Sequence, residues 1–340
     1  MQLSGIETDT FYMKVVFFHR RRLPGNYSIE NLFEQVRSAL PENVVFSVKE
    51  LRFISRGFFK RLYISIEAAF SQRGINHITG DIHFIALFLK RRRTVLTVHD
   101  LGFMNHSNPM ARLLLKWFWI ILPVKRSAII TTVSEATRKE LLKYVKVDSS
   151  RLRVIYNPIS PLFVPDSKPF NKLKPRILQI GTKLNKNISR LLQALQGVNC
   201  TLEIVGEVGD SLLTELRNSK IEFDISSGLS SEEVVKKYQS ADILAFVSTH
   251  EGFGMPIVES NAIGRVVVTS NVSSMPEVAG GSAHLVDPYN MASIREGIMK
   301  VVEDDSYREL LITKGFANKR RFDRVEIARQ YVEVYKLLSE

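Results

Sequence analysis

Residues 243–264 have the sequence ILAFVSTHEGFGMPIVESNAIG. An apolar run of strand length, 243–248, precedes a turn with Gly252 and Gly254, and a helical pattern then runs to Gly264, a typical helix end. The order strand, glycine turn, helix places free backbone N–H groups and the positive end of a helix dipole at the carboxyl end of a strand. The segment therefore predicts an anion site at one edge of a parallel sheet.

Two carboxylates, Glu251 and Glu259, flank this anion site. A ligand with both phosphate and hydroxyl groups accounts for the combination, because amides face the phosphates while carboxylates accept hydrogen bonds from hydroxyls. A nucleotide-sugar is such a ligand. The alternative is that either glutamate is an ordinary exposed helix residue, and the surrounding glycines argue against it.

The segment resembles the E-x7-E motif of family 4 retaining glycosyltransferases, which have the GT-B fold. Other stretches are similar to further signatures of that family. Residues 181–187 (GTKLNKN) resemble its first phosphate-binding loop, and 273–280 (SSMPEVAG) with 286–288 (VDP) resemble its downstream signature. Residues 25–30 (GNYSIE) and 98–100 (VHD) resemble its N-terminal loops. The resemblance covers most of the chain from residue 13 onward and is more specific in the C-terminal half.

Apolar runs of strand length alternate with amphipathic segments, which predicts parallel, doubly wound sheets. The strand candidates are 14–18, 43–48, 75–78, 94–99, 127–133, 152–156, 176–181, 202–206, 220–224, 242–247, 265–269 and 283–286. Two sets of six fit two Rossmann-like sheets, and four prolines within 157–169 indicate a linker. We therefore predict an α/β protein with an acceptor-binding domain in 1–160 and a donor-binding domain in 161–320. The resemblance implies that the two domains face each other across a cleft and that a final helix in 321–340 crosses back to the first.

The resemblance implies two catalytic residues, Glu251 and His99. Glu251 is expected beside the transferred sugar, where a carboxylate binds hydroxyls and stabilises an oxocarbenium-like transition state. His99 follows the strand pattern and, in the family, points into the cleft toward the donor sugar; the alternative is a structural histidine. Because no clear second nucleophile occurs, the expected reaction is a same-face substitution in which the leaving phosphate acts as base.

Donor-binding residues are expected in three glycine-bearing turns. Lys186 stands just before a helix, where a cation is unfavourable unless an anion lies nearby; a surface lysine in a turn is the alternative. Family members often have an arginine where this chain has Thr182, so either Lys183 substitutes for it or backbone amides meet the phosphate charge. Asn26 is alternatively a helix N-cap. The predicted donor-binding set is Gly181, Lys183, Lys186, Gly252, Phe253, Gly254, Glu259, Gly25 and Asn26.

The composition, 45% hydrophobic and 24% charged, is that of a globular protein. The single cysteine, Cys200, excludes an internal disulfide and indicates a reducing compartment, so we expect a cytoplasmic protein. Residues 1–160 hold 25 Lys and Arg against 12 Asp and Glu, whereas the remaining 180 residues hold 22 against 23. Basic and aromatic residues alternate in 52–63 and 112–119, which favours peripheral attachment to the anionic inner face of the plasma membrane. The alternative is a solvated basic face over ordinary core residues.

We expect no metal and no other cofactor. The chain lacks an Asp-x-Asp motif, and His77, Asp81 and His83 lack the spacing of an established metal motif; the polar patch 77–83 suggests an acceptor or donor-sugar loop instead. The leading prediction is a retaining, metal-independent glycosyltransferase. It moves a hexosyl group from a nucleoside-diphosphate sugar to a glycan or lipid-linked acceptor, in cell-surface polysaccharide or glycolipid synthesis.

Two other classes of function compete with this prediction. The first is a basic membrane- or nucleic-acid-binding module that keeps the nucleotide-sugar fold without transfer activity. No RNA-binding aromatic motif occurs, so we expect no nucleic-acid partner. The second is a dinucleotide oxidoreductase, which ranks low because the G-x-G-x-x-G pattern is missing after the first strand of either sheet.

Overall fold

The computed structural model of the chain describes residues 12–21 and 28–339. Within these residues, two six-stranded sheets form, and all strand pairings are parallel. The first sheet contains β1 (Met13–His19), β2 (Val44–Glu50), β3 (Ile75–Ile78), β4 (Thr94–Val98), β5 (Ile129–Thr132) and β6 (Leu152–Val154). The second contains β7 (Arg176–Ile180), β8 (Thr201–Val205), β9 (Glu222–Ser226), β10 (Ile243–Phe246), β11 (Val266–Ser270) and β12 (Ala283–Val286).

Helices connect the strands and cover the sheets. They are α1 (Ser28–Arg37), α2 (Phe58–Phe70), α3 (Pro109–Leu115), α4 (Leu122–Arg126), α5 (Glu135–Leu142), α6 (Ile188–Ala194), α7 (Asp210–Asn218), α8 (Ser231–Ser240), α9 (Met255–Ile263), α10 (Met275–Ala279), α11 (Met291–Glu303), α12 (Asp305–Asn318) and α13 (Arg324–Ser339). A π-helical segment, Lys116–Ile121, joins α3 to α4. The predicted α/β class and its two doubly wound sheets are confirmed, and each strand candidate lies within two residues of an observed strand end.

Each sheet has a point where the strand order reverses. The second sheet has the order β12-β11-β10-β7-β8-β9, so the reversal falls between β7 and β10. The first sheet has the order β2-β1-β3-β4-β5-β6, with the reversal between β1 and β3. Loops that leave the two strands at a reversal diverge to opposite faces and open a crevice, which is where ligands bind in such sheets. The topology therefore directs attention to the loops after β7 and β10.

The last helix, α13, packs on the first sheet although it follows the second in sequence. Its buried residues Ile327, Tyr331 and Tyr335 share a hydrophobic cluster with Val15 and Phe17 of β1. The chain therefore crosses between the sheets twice, once between β6 and β7 and once after α12. The domain boundaries at 160 and 320 stay predictions.

Across residues 12–21 and 28–339, every helix is too short or too polar to cross a bilayer.

Candidate active site

The candidate site lies at the carboxyl ends of β7 and β10. The loop after β7 begins with Gly181, which has φ = +83° and whose amide donates to the Val205 carbonyl at 2.7 Å. An added Cβ at residue 181 would lie 2.8 Å from Cε of Lys186. The left-handed backbone therefore favours glycine here, and a larger residue would also have to displace the end of the lysine side chain that folds across the loop.

Lys186 and Glu251 form an ion pair across the two loops. Nζ of Lys186 lies 2.7 Å from Oε1 of Glu251, and each side chain is 15% exposed. The same ammonium lies 4.6 Å from the ring centroid of Phe246, at the end of β10. Partial burial of both groups makes the pair stronger than a surface ion pair. The structure thus brings together a cation and a carboxylate that the sequence predicts for the same site.

Two asparagines that were predicted only as part of the loop hold this arrangement. Asn185 donates its amide to Oε1 of Glu251 at 3.1 Å and to the His250 carbonyl at 2.9 Å. Asn187 has a left-handed backbone (φ = +61°), and its buried amide donates to the carbonyls of Val247 and Pro288 at 3.0 and 2.7 Å. The sequence signal was the asparagine itself, since Asn tolerates the left-handed region better than other non-glycine residues.

The glycine turn after β10 is packed against the first domain. A Cβ at residue 252 would lie 1.9 Å from the carbonyl oxygen of His99. Gly254 has φ = +108° and is the N-cap of α9, which it leaves without a side-chain cap. Pro256, the second residue of α9, has no N–H, and the Ile257 amide donates to the Gly254 carbonyl at 3.0 Å. The uncapped N-terminus of α9 therefore offers the positive end of the helix dipole more than a row of free amides.

Phe253 differs from the prediction. Its side chain is buried in the core of the second domain, at 6.0 Å from the Tyr156 ring and 5.6 Å from the Phe322 ring. The aromatic ring anchors the turn in the hydrophobic core and does not line the crevice. Only the backbone of Phe253 stays a candidate for donor contact.

Glu259 lies inside α9 and is held by Tyr238 of α8. The tyrosine hydroxyl donates to Oε2 of Glu259 at 2.5 Å. Burial raises the pKa of Glu259 to about 7, while the Tyr238 hydrogen bond and the Lys186 charge oppose the shift. Tyr238 was missed because its position one turn after Val235 on α8 is typical of an ordinary core residue.

His99 follows β4; its backbone carbonyl lies against Gly252, whereas its ring lies beside Gly80 and at 6.1 Å from the Phe33 ring inside the first domain. Its Nε2 lies 2.6 Å from the Thr79 carbonyl, which makes Nε2 the protonated nitrogen. Burial lowers the pKa of His99, so the ring is neutral at physiological pH. The cleft also holds Asp100 beside Gly252, since the Asp100 Cβ would be 2.9 Å from an added Cβ at residue 252.

Hydrogen bonds between the two domains close the crevice on one side. Ser134 and Thr137, at the start of α5, donate their hydroxyls to the Gly252 carbonyl at 2.7 and 3.0 Å. Glu277 of α10 accepts from the amides of Glu135 and Ala136 at 2.7 and 3.1 Å. A carboxylate of the second domain thus caps a helix of the first. The motif around Glu277 was noted in the sequence, but its partner lies 142 residues away.

The remaining predicted residues are less involved. Lys183 is exposed and, among residues 12–21 and 28–339, has no acidic partner. The Thr182 hydroxyl donates to the Glu207 carbonyl, so it is engaged away from Lys186. Gly25 and Asn26 lie outside the described residues.

The sugar-binding loop suggested for 77–83 is wrong for both of its histidines. His77 is fully buried between Tyr335 and Thr97, with ring nitrogens 2.7 and 2.8 Å from their hydroxyls. His83 is also buried, with Nδ1 at 2.8 Å from the Trp119 carbonyl. Both histidines satisfy polar groups inside the first domain. No group of three His, Cys, Asp or Glu in the described part of the chain could hold a metal ion.

Two family models match the chain along most of its length. The model described as "Glycosyl transferases group 1" matches residues 164–317, which include the loops after β7 and β10. The model described as "Glycosyltransferase Family 4" matches residues 37–161. The chain therefore belongs to the family 4, group 1 glycosyltransferases, and the predicted resemblance is confirmed.

Three relatives of the chain are named as mannosyltransferases. The chain is 29% identical to the O-antigen chain mannosyltransferase B of Escherichia coli over 72% of this chain and 71% of that one. It is 30% identical to the MMP alpha-(1->4)-mannosyltransferase of Mycolicibacterium hassiacum, over 65% of this chain and 58% of that one. A third relative, the serotype-specific mannosyltransferase WbdA of Escherichia coli, is 22% identical and is covered over 34% of its length. The chain thus spans between a third and about seven tenths of the length of these three relatives.

Solved structures establish the fold as GT-B. HepE of Anabaena, solved in complex with UDP-glucose, superposes with a TM-score of 0.75 over 96% of this chain and 100% of that one, at 16% identity. WaaG, a glycosyltransferase involved in lipopolysaccharide biosynthesis, gives a TM-score of 0.71 over 94% of this chain and 99% of that one, at 12% identity.

Proposed function

We propose that the chain moves a hexosyl group from a nucleoside-diphosphate sugar to a hydroxyl of a glycan or lipid-linked acceptor, with retention of anomeric configuration. The observation that carries the proposal is the Lys186–Glu251 pair between the β7 and β10 loops, beside the free N-terminus of α9. A cation, a helix N-terminus and a carboxylate in one corner match the phosphates and hydroxyls of such a donor. Relatives named as mannosyltransferases support a hexose and a role in cell-surface polysaccharide or glycolipid synthesis.

Each polar group has one assigned role. Lys186 and the positive end of the α9 dipole bind the diphosphate, with the Gly181 backbone alongside. Glu251 accepts hydrogen bonds from the sugar, and Glu259 accepts them from the ribose. His99, neutral and protonated on Nε2, keeps Nδ1 as an acceptor for a sugar hydroxyl from the opposite wall.

Retention follows from a same-face substitution. The bond between the anomeric carbon and the phosphate oxygen breaks while the acceptor oxygen bonds to that carbon from the same side. The proton of the acceptor hydroxyl passes to the departing phosphate oxygen. Glu251 lowers the barrier because its negative charge stabilises the oxocarbenium character of the sugar ring.

The reaction is proposed to need no metal. Lys186 and the α9 dipole supply the positive charge that a divalent ion supplies elsewhere under a diphosphate. Transfer should therefore continue in excess EDTA. Complete loss on chelation, with recovery on adding magnesium or manganese, would contradict this assignment.

The test of function has two stages. Thermal unfolding with UDP-, GDP-, ADP- and dTDP-sugars identifies the donor, because a ligand that binds only the folded chain raises the apparent Tm. Transfer from that donor is then followed by NMR of the anomeric proton in the product. The binding-module alternative gains support if no donor raises Tm while RNA binding weakens steeply with salt. An inverted product would overturn the retaining mechanism and leave the donor site intact.

A further inference from the structure

Helix α2 turns an apolar face toward solvent. Its inward face is small and consists of Ile64, Ser65 and Ala68. Its outward face carries four large apolar side chains at helical spacing, with exposed fractions of 82, 45, 43 and 88%: Phe59, Tyr63, Ile66 and Phe70. A surface helix of a globular protein normally has the opposite arrangement. The outer face of α2 therefore requires a partner.

A second apolar stripe runs along α3 and the π-helical segment that follows. Its residues recur at the spacing of one helix face and are 43 to 65% exposed: Met110, Leu113, Leu114, Trp117 and Phe118. None of the residues of α3 is buried. The stripe thus repeats the unusual feature of α2 at a position about 50 residues further along the chain.

The two stripes meet on the surface of the first domain. The guanidinium of Arg61, in α2, lies 4.6 Å from the ring centroid of Trp119, in the π-helical segment. Trp119 directly follows Phe118, the last member of the second stripe. Because one contact joins the two helices, we treat their outward apolar residues as one surface, here named the α2–α3 surface.

The charge around this surface is strongly positive. Residues 51–134 contain 13 Lys and Arg but only three acidic residues, Glu67, Asp81 and Asp100. Glu67 is paired with Lys49 at 2.7 Å, and Asp81 is paired with Arg20. The basic residues that lie within the helices of the two stripes, or just before α2, are Arg56, Lys60, Arg61, Arg112 and Lys116. An anionic partner is favoured, whereas a second copy of the chain would bring like charges together.

The α2–α3 surface also starts at the cleft. Helix α2 follows the carboxyl end of β2, and α3 follows the carboxyl end of β4, the same edge of the sheet that carries His99. A partner bound to this surface lies beside the mouth of the candidate active site.

We propose that the α2–α3 surface binds an anionic bilayer. Its aromatic and aliphatic side chains enter the interfacial region, and the surrounding Lys and Arg contact lipid phosphates. The inference deepens the proposed function, on which it rests for one point: the acceptor is presented at the membrane, next to the cleft.

The two tryptophans of the chain, Trp117 and Trp119, provide the measurement. Vesicles of phosphatidylglycerol and phosphatidylcholine should shift their fluorescence to the blue, and brominated lipid should quench it. Vesicles of phosphatidylcholine alone should have a much smaller effect, and high salt should weaken binding to the anionic vesicles. The double variant Phe59→Ser/Phe70→Ser should lower the partition coefficient by about tenfold or more.

A matched control removes the same number of exposed apolar residues elsewhere. Leu173→Ser/Val325→Ser changes side chains that are 85 and 60% exposed, outside the α2–α3 surface, and should bind vesicles like the parent chain. The charge reversal Arg56→Glu/Lys60→Glu gives a second test that leaves the apolar residues in place, and it should also weaken anionic-vesicle binding.

Three results would overturn the inference. One is equal binding by the parent chain and Phe59→Ser/Phe70→Ser with both folded by circular dichroism. Another is no binding of the parent chain to anionic vesicles at low salt. The third is a change of mass in sedimentation velocity caused by the phenylalanine substitutions, which would make the surface a self-association interface. Donor binding measured by calorimetry without vesicles reports separately on the proposed function, so the two can fail independently.

Discussion

The Lys186–Glu251 pair is the residue-scale feature on which the donor site depends. In the ligand-free chain each charge neutralises the other at 2.7 Å. Under the proposed function, an arriving diphosphate competes for the ammonium of Lys186, which releases Glu251 to accept hydrogen bonds from the sugar. In that case the pair keeps both groups in place and largely desolvated before the donor binds, which lowers the reorganisation that catalysis requires.

Replacing Glu251 should separate binding from chemistry. Glu251→Gln keeps the shape and the contact with Asn185 but removes the negative charge, so kcat should fall by about a hundredfold or more. Nucleoside diphosphate alone should bind as well or better, because Lys186 loses its internal partner. Steady-state kinetics and calorimetry measure the two effects, with Glu296→Gln, an exposed glutamate of α11, as control. Near-normal kcat in a folded Glu251→Gln chain would refute the catalytic assignment.

Glu259 should make stability and donor binding depend on pH. Its folded pKa of about 7 lies above the ordinary glutamate value of 4.5, so the folded state holds a proton that the unfolded state has lost. The contribution of Glu259 to the free energy of unfolding is therefore complete below about pH 4.5 and is lost as the pH rises through about 7. Donor affinity should instead increase as the pH rises over this range, because only the ionised carboxylate accepts hydrogen bonds from both ribose hydroxyls.

The matching variant is Glu259→Gln, which cannot titrate. It should flatten both profiles, and thermal unfolding and donor calorimetry between about pH 5 and about pH 8 measure them. If the parent chain and Glu259→Gln show parallel pH profiles, another group is responsible.

At the scale of elements, α9, α5 and α10 form the junction between the two domains. Gly252 abuts the His99 carbonyl, and Glu277 caps α5 through two backbone amides. These contacts hold the glycine turn after β10 against the first domain. We therefore expect closure of the two domains to assemble the site.

Removing the interdomain cap should weaken closure rather than folding. Glu277→Ala should destabilise the closed arrangement of the two domains by about 1 kcal/mol, the usual cost of losing a helix N-cap. The loss should appear as a raised KM with little change in Tm. Asn290→Ala is the control, because Asn290 caps α11 within one domain, accepting from the amides of Ala292 and Ser293. Asn290→Ala should have a lower Tm and an unchanged KM. Identical behaviour of the two variants would argue against a role of Glu277 in closure.

Local patterns predicted the strands, the glycine turns and the Lys186 and Glu251 loops, because periodicity and glycine spacing are properties of short segments. Long-range contacts were not predictable in this way. Phe253 was assigned to the donor site together with its neighbours in the glycine turn. The sequence around it does not reveal that Tyr156 and Phe322 enclose its ring. His77 was assigned to a polar loop because the sequence around it does not reveal its hydrogen-bond partner. That partner, Tyr335, is 258 residues away. Likewise, the outward direction of the apolar residues of α2 depends on which face the sheet covers.

At the scale of the whole molecule, α13 ties the end of the chain to its beginning. Tyr335 closes a buried network in which its hydroxyl bonds Nδ1 of His77 and Nε2 of His77 bonds Thr97, which in turn bonds Thr131 at 2.7 Å. Burial holds the pKa of His77 well below its usual value, so the ring is neutral and depends on these two partners. The first sheet is thus stabilised by residues that are synthesised after the second sheet.

Tyr335→Phe should therefore destabilise the first domain although the substitution lies in a helix that follows the second sheet in sequence. It leaves Nδ1 of a buried imidazole without a partner, which costs about 1–3 kcal/mol. Tyr307→Phe is the control, since its hydroxyl bonds His284 at 3.0 Å in a half-buried part of the second domain, where water can replace it. Native-state hydrogen exchange should show faster exchange in β1 and β3 for Tyr335→Phe and unchanged protection in β7 and β10. If both sheets lost protection equally, the chain would unfold as one cooperative unit, and the last helix would not act on the first domain alone.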